Sequence, residues 1–279
     1  MPPNRLTPER IDALRLAILR AGRSALDAQP DMQRSSERKG DGSPVTALDR
    51  AVETALREET LRLFPDALVL GEEAGLGEAT DSTIETEDAE RTDHSSEHSS
   101  AREPASPRVV IDPIDGTRAY IRGLDTWSVL YAIEVPGEGA YAFAYLPGRD
   151  HLYEGDGTRT RRGDREVRLK GAIELDASLV QHGSLGQFAD ADLLTWLPTL
   201  AKASYTQRGF SDFAGYAEVL EGRADLMVDP SIQVWDVKAP MLLIEGAGGH
   251  TRLATVGGSL NCFAGREPAL SQCIAALGL

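Results

Sequence analysis

Asp112-Pro113-Ile114-Asp115-Gly116-Thr117 sets two carboxylates three residues apart, directly after the apolar run Val109-Val110-Ile111. Acids held that close repel one another unless a cation sits between them. Carboxylate oxygens suit hard ions such as magnesium. Gly116 permits a tight turn, and Thr117, Ala119 and Tyr120 begin a short helix that Gly123 closes. The first amides of a helix are a seat for a phosphate oxygen. Metal-binding acids beside such a turn point to phosphoryl chemistry. Taken alone, however, the spacing is more often a capped turn, and it lacks the alternating acids of a calcium loop.

Three further segments carry candidate groups, each with an ordinary explanation of its own. Gly71-Glu72-Glu73 ends another apolar run, where strand tips commonly line a crevice; a Glu-Glu pair is usually just a solvated loop. Val234-Trp235-Asp236-Val237-Lys238-Ala239-Pro240 puts Asp236 at the start of an apolar helix, where capping would explain it. Asp41-Gly42-Ser43-Pro44-Val45-Thr46-Ala47-Leu48-Asp49 reads as a loop and helix start.

The elements that must position these residues follow from apolar periodicity. Helices are expected over 10–26, 46–64, 190–201, 211–221 and 236–246, strands over 67–70, 109–111, 127–135, 140–145, 151–154, 178–182 and 225–228. Pro113 is expected to stop simple continuation of its strand. Helices and short strands mixed with hairpins suggest layered α and β structure rather than a regular parallel alternation. Residues 77–107 are rich in Ser, Thr, Glu and Asp, and that composition predicts a disordered or mobile acidic insertion. His94 and His98 lie inside it at helical spacing, without a supporting apolar pattern.

Taken together and in this order, Gly71-Glu72-Glu73, Asp112 to Thr117 and Trp235-Asp236, with Ser43 to Asp49 upstream, resemble the hallmark segments of the inositol monophosphatase superfamily, the lithium-sensitive magnesium phosphatases. The resemblance runs from about Asp41 to Gly249, the acidic insertion apart. It implies an α/β (α+β) fold, a layered α-β-α-β-α sandwich of the inositol monophosphatase and fructose bisphosphatase type. Its two halves, 1–150 and 151–279, would enclose the metal site, and members are commonly homodimers.

The resemblance also implies roles. Glu72, Asp112 and the Ile114 carbonyl would hold one magnesium ion. Asp112 would bridge to a second, completed by Asp115 and Asp236, so two or three Mg2+ ions are expected. Thr117 and Asp49 would orient and help deprotonate the attacking water, with Glu73 supporting them. The Gly116 and Thr117 amides would hold the phosphate, and Lys39 would lie on a flap over the site. Lys238 stands where relatives usually carry a small residue, and is expected on the outer face of its helix.

For the alcohol part of the substrate the sequence leaves alternatives open. Thr117-Arg118-Ala119-Tyr120, Gly123-Leu124, Trp127 and the stretches Arg208 to Tyr216 and Glu221 to Leu226 are most similar to the histidinol-phosphatase branch. A carboxylate at Asp212 would pair with the protonated amine of histidinol phosphate; equally, it could cap the following helix. Asp229 lies where inositol phosphatases present an acid to substrate hydroxyls. An adenosine bisphosphate is weaker, since those relatives usually carry lysine at position 118. Fructose bisphosphate needs a second basic set, for which only Arg118 and Arg208 offer themselves. A metal-binding regulator without turnover is the non-enzyme alternative.

Composition narrows the partners. A net charge of −15 over 279 residues argues against a nucleic-acid backbone as ligand, yet not against a small phosphorylated metabolite, because bound cations reverse the local sign. No apolar run approaches the roughly 20 residues a membrane span needs. The polar stretch Met1 to Arg10 has no export signature, so a cytoplasmic location is expected. Cys262 and Cys273 are too few for a disulfide framework.

Overall fold

The computed structural model describes residues 4–32, 37–38, 44–45, 47–76, 106–209 and 212–279. Lys39, the Asp41 to Ser43 loop, Thr46, His94, His98 and nearly all of the acidic insertion lie outside these residues. The chain runs α1 (Pro8–Met32), β1 (Glu37–Arg38), β2 (Pro44–Val45), α2 (Ala47–Leu63), β3 (Leu68–Gly71), β4 (Gly75–Leu76), β5 (Arg108–Asp115), α3 (Thr117–Ile121), β6 (Ser128–Val135), β7 (Gly139–Leu146), β8 (His151–Gly155), β9 (Thr160–Arg162) and β10 (Arg165–Val167). Then come β11 (Leu179–His182), α4 (Leu185–Asp190), α5 (Trp196–Ala203), β12 (Thr206–Arg208), α6 (Asp212–Leu220), β13 (Leu226–Asp229), α7 (Val234–Gly246), β14 (His250–Val256), β15 (Ser259–Gly265) and α8 (Ala269–Ala276).

Two sheets form the frame: eight strands in the order β10-β9-β8-β7-β6-β5-β3-β4, and five in the order β12-β11-β13-β15-β14. Side chains alternate across a strand, so each sheet buries two different sets. In β6, Val129, Tyr131 and Ile133 pack against Leu14, Ile18, Val52 and Leu56 of α1 and α2. Leu130 and Ala132, on the opposite face, pack with Phe213, Tyr216, Val237 and Leu243 of α6 and α7. Met227, Cys262 and Ala264 of the second sheet join that same cluster. Its far face sends Val180, Val228 and Phe263 to Trp196, Leu200 and Leu270 of the outer helices. The result is α-β-α-β-α, as expected. Ala132, Ala142 and Ala144 face the middle layer, and such small residues let α7 lie close on the first sheet.

The structure departs from the sequence reading in several places. β5 does not stop at Pro113 but continues to Asp115 through a register shift between Asp112 and Asp115. A bulge absorbs the missing N–H of proline without ending the strand. The helix expected over 190–201 begins only at Trp196, after α4 has ended at Asp190, because Asp192 takes a left-handed φ of 59° and Pro198 fits only the first turn of a helix. Asp236 is not the cap of α7; Gln233 is, with Asp236 three residues inside it. The first sheet also runs past Asp150, since β8 pairs with β7 and β9 with β8. The boundary between the sheets therefore falls between Val167 and Leu179.

Candidate active site

The ends of both sheets and the starts of α3, α6 and α7 meet at one cleft. It is lined by Glu72, Asp112, Ile114, Asp115, Gly116, Thr117, Asp212, Asp229 and Asp236, together with Gln187 and Ile232. β3 and β5 run parallel and adjacent, with Gly71 opposite Ile111, so Glu72 emerges beside Asp112. The bulge in β5 turns Asp115 inward, where its Oδ2 accepts from Ser128 Oγ at 2.7 Å and from the Phe213 amide at 2.8 Å. Gly116 follows at a φ of 79°, and Thr117 Oγ1 donates to the Ile114 carbonyl at 3.1 Å. Asp236 Oδ2 accepts from the Gln233 amide at 2.7 Å, which fixes its side chain in the first turn of α7.

Crowding of these acids sets their proton affinities. Burial, reinforced by the charges of Glu72, Asp115, Asp236 and Asp49, holds Asp112 well above the ordinary carboxylate range. Burial and Asp212 do the same to Asp115, against the pull of its Ser128 and Phe213 hydrogen bonds. Asp236 is pushed up to about 7 by burial, although the Gln233 amide opposes it. Asp212 rises to about 6, again from burial, with Arg118 pulling it back.

Among the described residues, no three acidic, histidine or cysteine groups converge into an ion cage as they stand. The case for a cation rests on the donors. Asp112 Oδ1 is buried with no hydrogen-bond partner, and its neighbours are acids rather than bases. Hard oxygen donors with uncompensated negative charge fit a divalent cation such as magnesium.

One consequence is measurable. Folded-state values raised above the unfolded ones mean that the folded chain keeps protons the unfolded chain has released, so stability falls as pH rises. For Asp212 and Asp236 the loss begins above the ordinary carboxylate value and is complete once the pH has passed about 6 and about 7 respectively. Asp112 and Asp115, held well above the same range, add to it in the same direction. In thermal melts of chelator-treated protein, the melting temperature at about pH 5.5 should exceed that at about pH 7.5, and magnesium should narrow the gap. The opposite order would contradict the crowding.

Four other expected residues, Asp49, Glu73, Arg208 and Lys238, lie outside the cleft lining. Asp49 is buried in the first turn of α2, and its charge reaches Asp112 and Tyr120. Glu73 faces Arg50 at 3.7 Å and does not line the cleft. Arg208 is exposed on the edge strand β12, folded back onto Gln207 O at 2.6 Å, so it does not join the site. Lys238 reaches Glu134 Oε1 at 3.2 Å, toward the opposite end of β6 from Ser128 and the cleft. Asp229 ends β13 and accepts from Tyr216 Oη at 3.1 Å and Gln187 Nε2 at 3.4 Å. Gln187 was not expected; its signal is the Ser184-x-x-Gln187 capping box that starts α4.

The geometry is thus a five-layer scaffold whose two sheets end at a carboxylate-ringed cleft. Residues 8–276 match the profile of the inositol monophosphatase family. Across 263 residues the chain is 30% identical to a histidinol-phosphatase of Mycobacterium tuberculosis, covering 91% of this chain and 83% of that one. An inositol-1-monophosphatase of Mesorhizobium japonicum is 29% identical over 238 residues, 84% of this chain and 81% of its own. The crystal structure of the extragenic suppressor protein suhB from Bartonella henselae superposes with a TM-score of 0.77 at 23% identity, covering 96% and 97% of the two chains. The chain belongs to the inositol monophosphatase family, whose members are generally metal-dependent. It is a phosphoric monoester hydrolase. Among the described residues, no helix is long and apolar enough to cross a membrane.

Proposed function

We propose that this hydrolase is magnesium-dependent and prefers a small phosphate monoester carrying a protonated amine, histidinol phosphate being the best candidate. The observation that carries the substrate reading is Asp212, a buried acid on the wall of the cleft beside Gly116. A substrate ammonium would keep Asp212 ionised, a charge-assisted pairing that a neutral polyol cannot supply. Relatives at 29% and 30% identity named histidinol-phosphatase support it.

Glu72, Asp112, Asp115, Asp236 and the Ile114 carbonyl would hold the ions. Magnesium bound there supplies positive charge that offsets the phosphate dianion and the developing alkoxide. Thr117 Oγ1, already directed at the Ile114 carbonyl, orients the attacking water, with Asp49 behind it to take a proton. The Gly116 and Thr117 amides receive the phosphate oxygens. Water attacks phosphorus in line as the P–O bond to the alcohol breaks, and no covalent enzyme intermediate is needed. Lithium sensitivity, a homodimer and a cytoplasmic location complete the proposal.

Inositol 1-phosphate remains the second reading, favoured by Asp229 in the same cleft. Purified protein with magnesium, assayed for phosphate release from histidinol phosphate, inositol 1-phosphate and 3′-phosphoadenosine 5′-phosphate, decides between them. Histidinol phosphate should be cleaved best. Asp212→Asn should then lower kcat/KM for it about tenfold, the effect of losing a charged hydrogen bond, and spare inositol 1-phosphate. A preference for inositol 1-phosphate would overturn the substrate assignment, and no release from any ester would overturn the magnesium phosphatase reading.

A further inference from the structure

α2 carries Asp49, Glu53 and Arg57 at intervals of four residues, one above another on a single face. Glu53 is 1% exposed, and Arg57 Nε donates to its Oε1 at 2.8 Å, which compensates the buried charge. The carboxylate is aimed at main chain rather than at solvent. The Glu73 amide donates to Oε2 at 2.7 Å and the Ala74 amide to Oε1 at 3.2 Å. Arg57 uses its remaining nitrogens on the carbonyls of Val69 at 2.8 Å and Gly75 at 2.6 Å. Both limbs of the turn between β3 and β4 are therefore gripped from one helix. The fit is tight: a Cβ on Gly71 would lie 2.3 Å from the Glu53 carboxyl carbon. The residue in that turn whose side chain lines the cleft is Glu72.

We infer that Glu53 and Arg57 are positioning residues that set the Glu72 carboxylate for a cation before it arrives. This rests on the reading of Glu72 as a metal ligand. A short turn left to itself would lose backbone freedom on binding, and that lost entropy would weaken the binding. Here the two charged groups have already ordered it. The same helix carries Asp49, so one element holds both that buried acid and the Glu72 turn.

The test titrates magnesium into the full-length protein by calorimetry, without substrate. Glu53→Gln keeps the shape but removes the charge and one acceptor, and should weaken magnesium binding at least tenfold, the usual size of an outer-ligand effect. Leu200→Ala, in the opposite outer layer, gives a comparably destabilised protein whose magnesium affinity should stay at the wild-type value. Glu72→Gln separates the two readings. If it binds magnesium as the wild type does, the ligand reading fails and the positioning role falls with it. If Glu72→Gln loses affinity while Glu53→Gln does not, only the positioning role is overturned. Should Glu53→Gln not fold, hydrogen exchange on the wild type decides. The Glu73 and Ala74 amides must exchange slowly in magnesium-free protein; protection that appears only with magnesium would overturn the inference.

Discussion

Replacing Asp112 by asparagine is expected to abolish turnover while raising the melting temperature of the metal-free protein. The two effects have one cause. Asp112 is buried, its Oδ1 has no hydrogen-bond partner, and four neighbouring acids oppose its ionisation. Asparagine keeps the shape, removes the repulsion and offers an amide to the remaining carboxylates, a gain on the order of 1 kcal/mol. It also removes one of the acids that would hold the metal under the proposed function. Metal stabilisation of transition-state charge amounts to several kcal/mol, and about 4 kcal/mol is a thousandfold in rate. Melts in chelator and phosphate release in saturating magnesium check the two halves. Turnover within tenfold of the wild type would sink the proposal that Asp112 is a metal ligand.

Gly116→Ala should be nearly as damaging to turnover, through geometry rather than charge. The φ of 79° at Gly116 costs a residue with a Cβ roughly 1–2 kcal/mol. That Cβ would also lie 2.6 Å from Asp212 Oδ2, so Asp212 must move. Phe213, next in the chain, donates its amide to Asp115 at 2.8 Å, and the displacement passes to a second acid. A shift of about an ångström at such a site costs on the order of a hundredfold in rate. Gly163→Ala shares the left-handed strain with nothing within 4 Å of the new Cβ. It should therefore lower the melting temperature slightly and leave kcat unchanged. Equal kinetics in the two variants would show that the contact with Asp212 does not matter.

The cleft was legible in the sequence wherever a motif and a strand end coincide. Val109-Val110-Ile111 is apolar without interruption because both faces of β5 are covered, and the acids follow at its tip. What stayed hidden depends on pairing across long separations. β9 and β10 are short and polar, and only their hydrogen bonds to β8 and to each other place them in the first sheet. Gln187 meets Asp229 from 42 residues away. Glu53 and Arg57 look like an ordinary surface pair on a helix, and nothing local says that the pair is buried against the turn of Glu72. Arg208 shows the converse error. Its residue type suited an anionic substrate, but on the edge strand β12 it is bonded to its neighbours Thr206 and Gln207 and is not among the residues lining the cleft.

The middle layer also fixes how the site can behave. α7 has a sheet on each side, so its apolar residues Val237, Ala239, Leu243 and Ile244 are all buried and Asp236 is anchored to both sheets at once. Prising the sheets apart would wet both sides of α7 together, a cost proportional to the apolar area exposed. The two sheets that carry the described walls of the crevice are thus tied through one buried helix, and any widening between those sheets has to break the core that α7 shares with both.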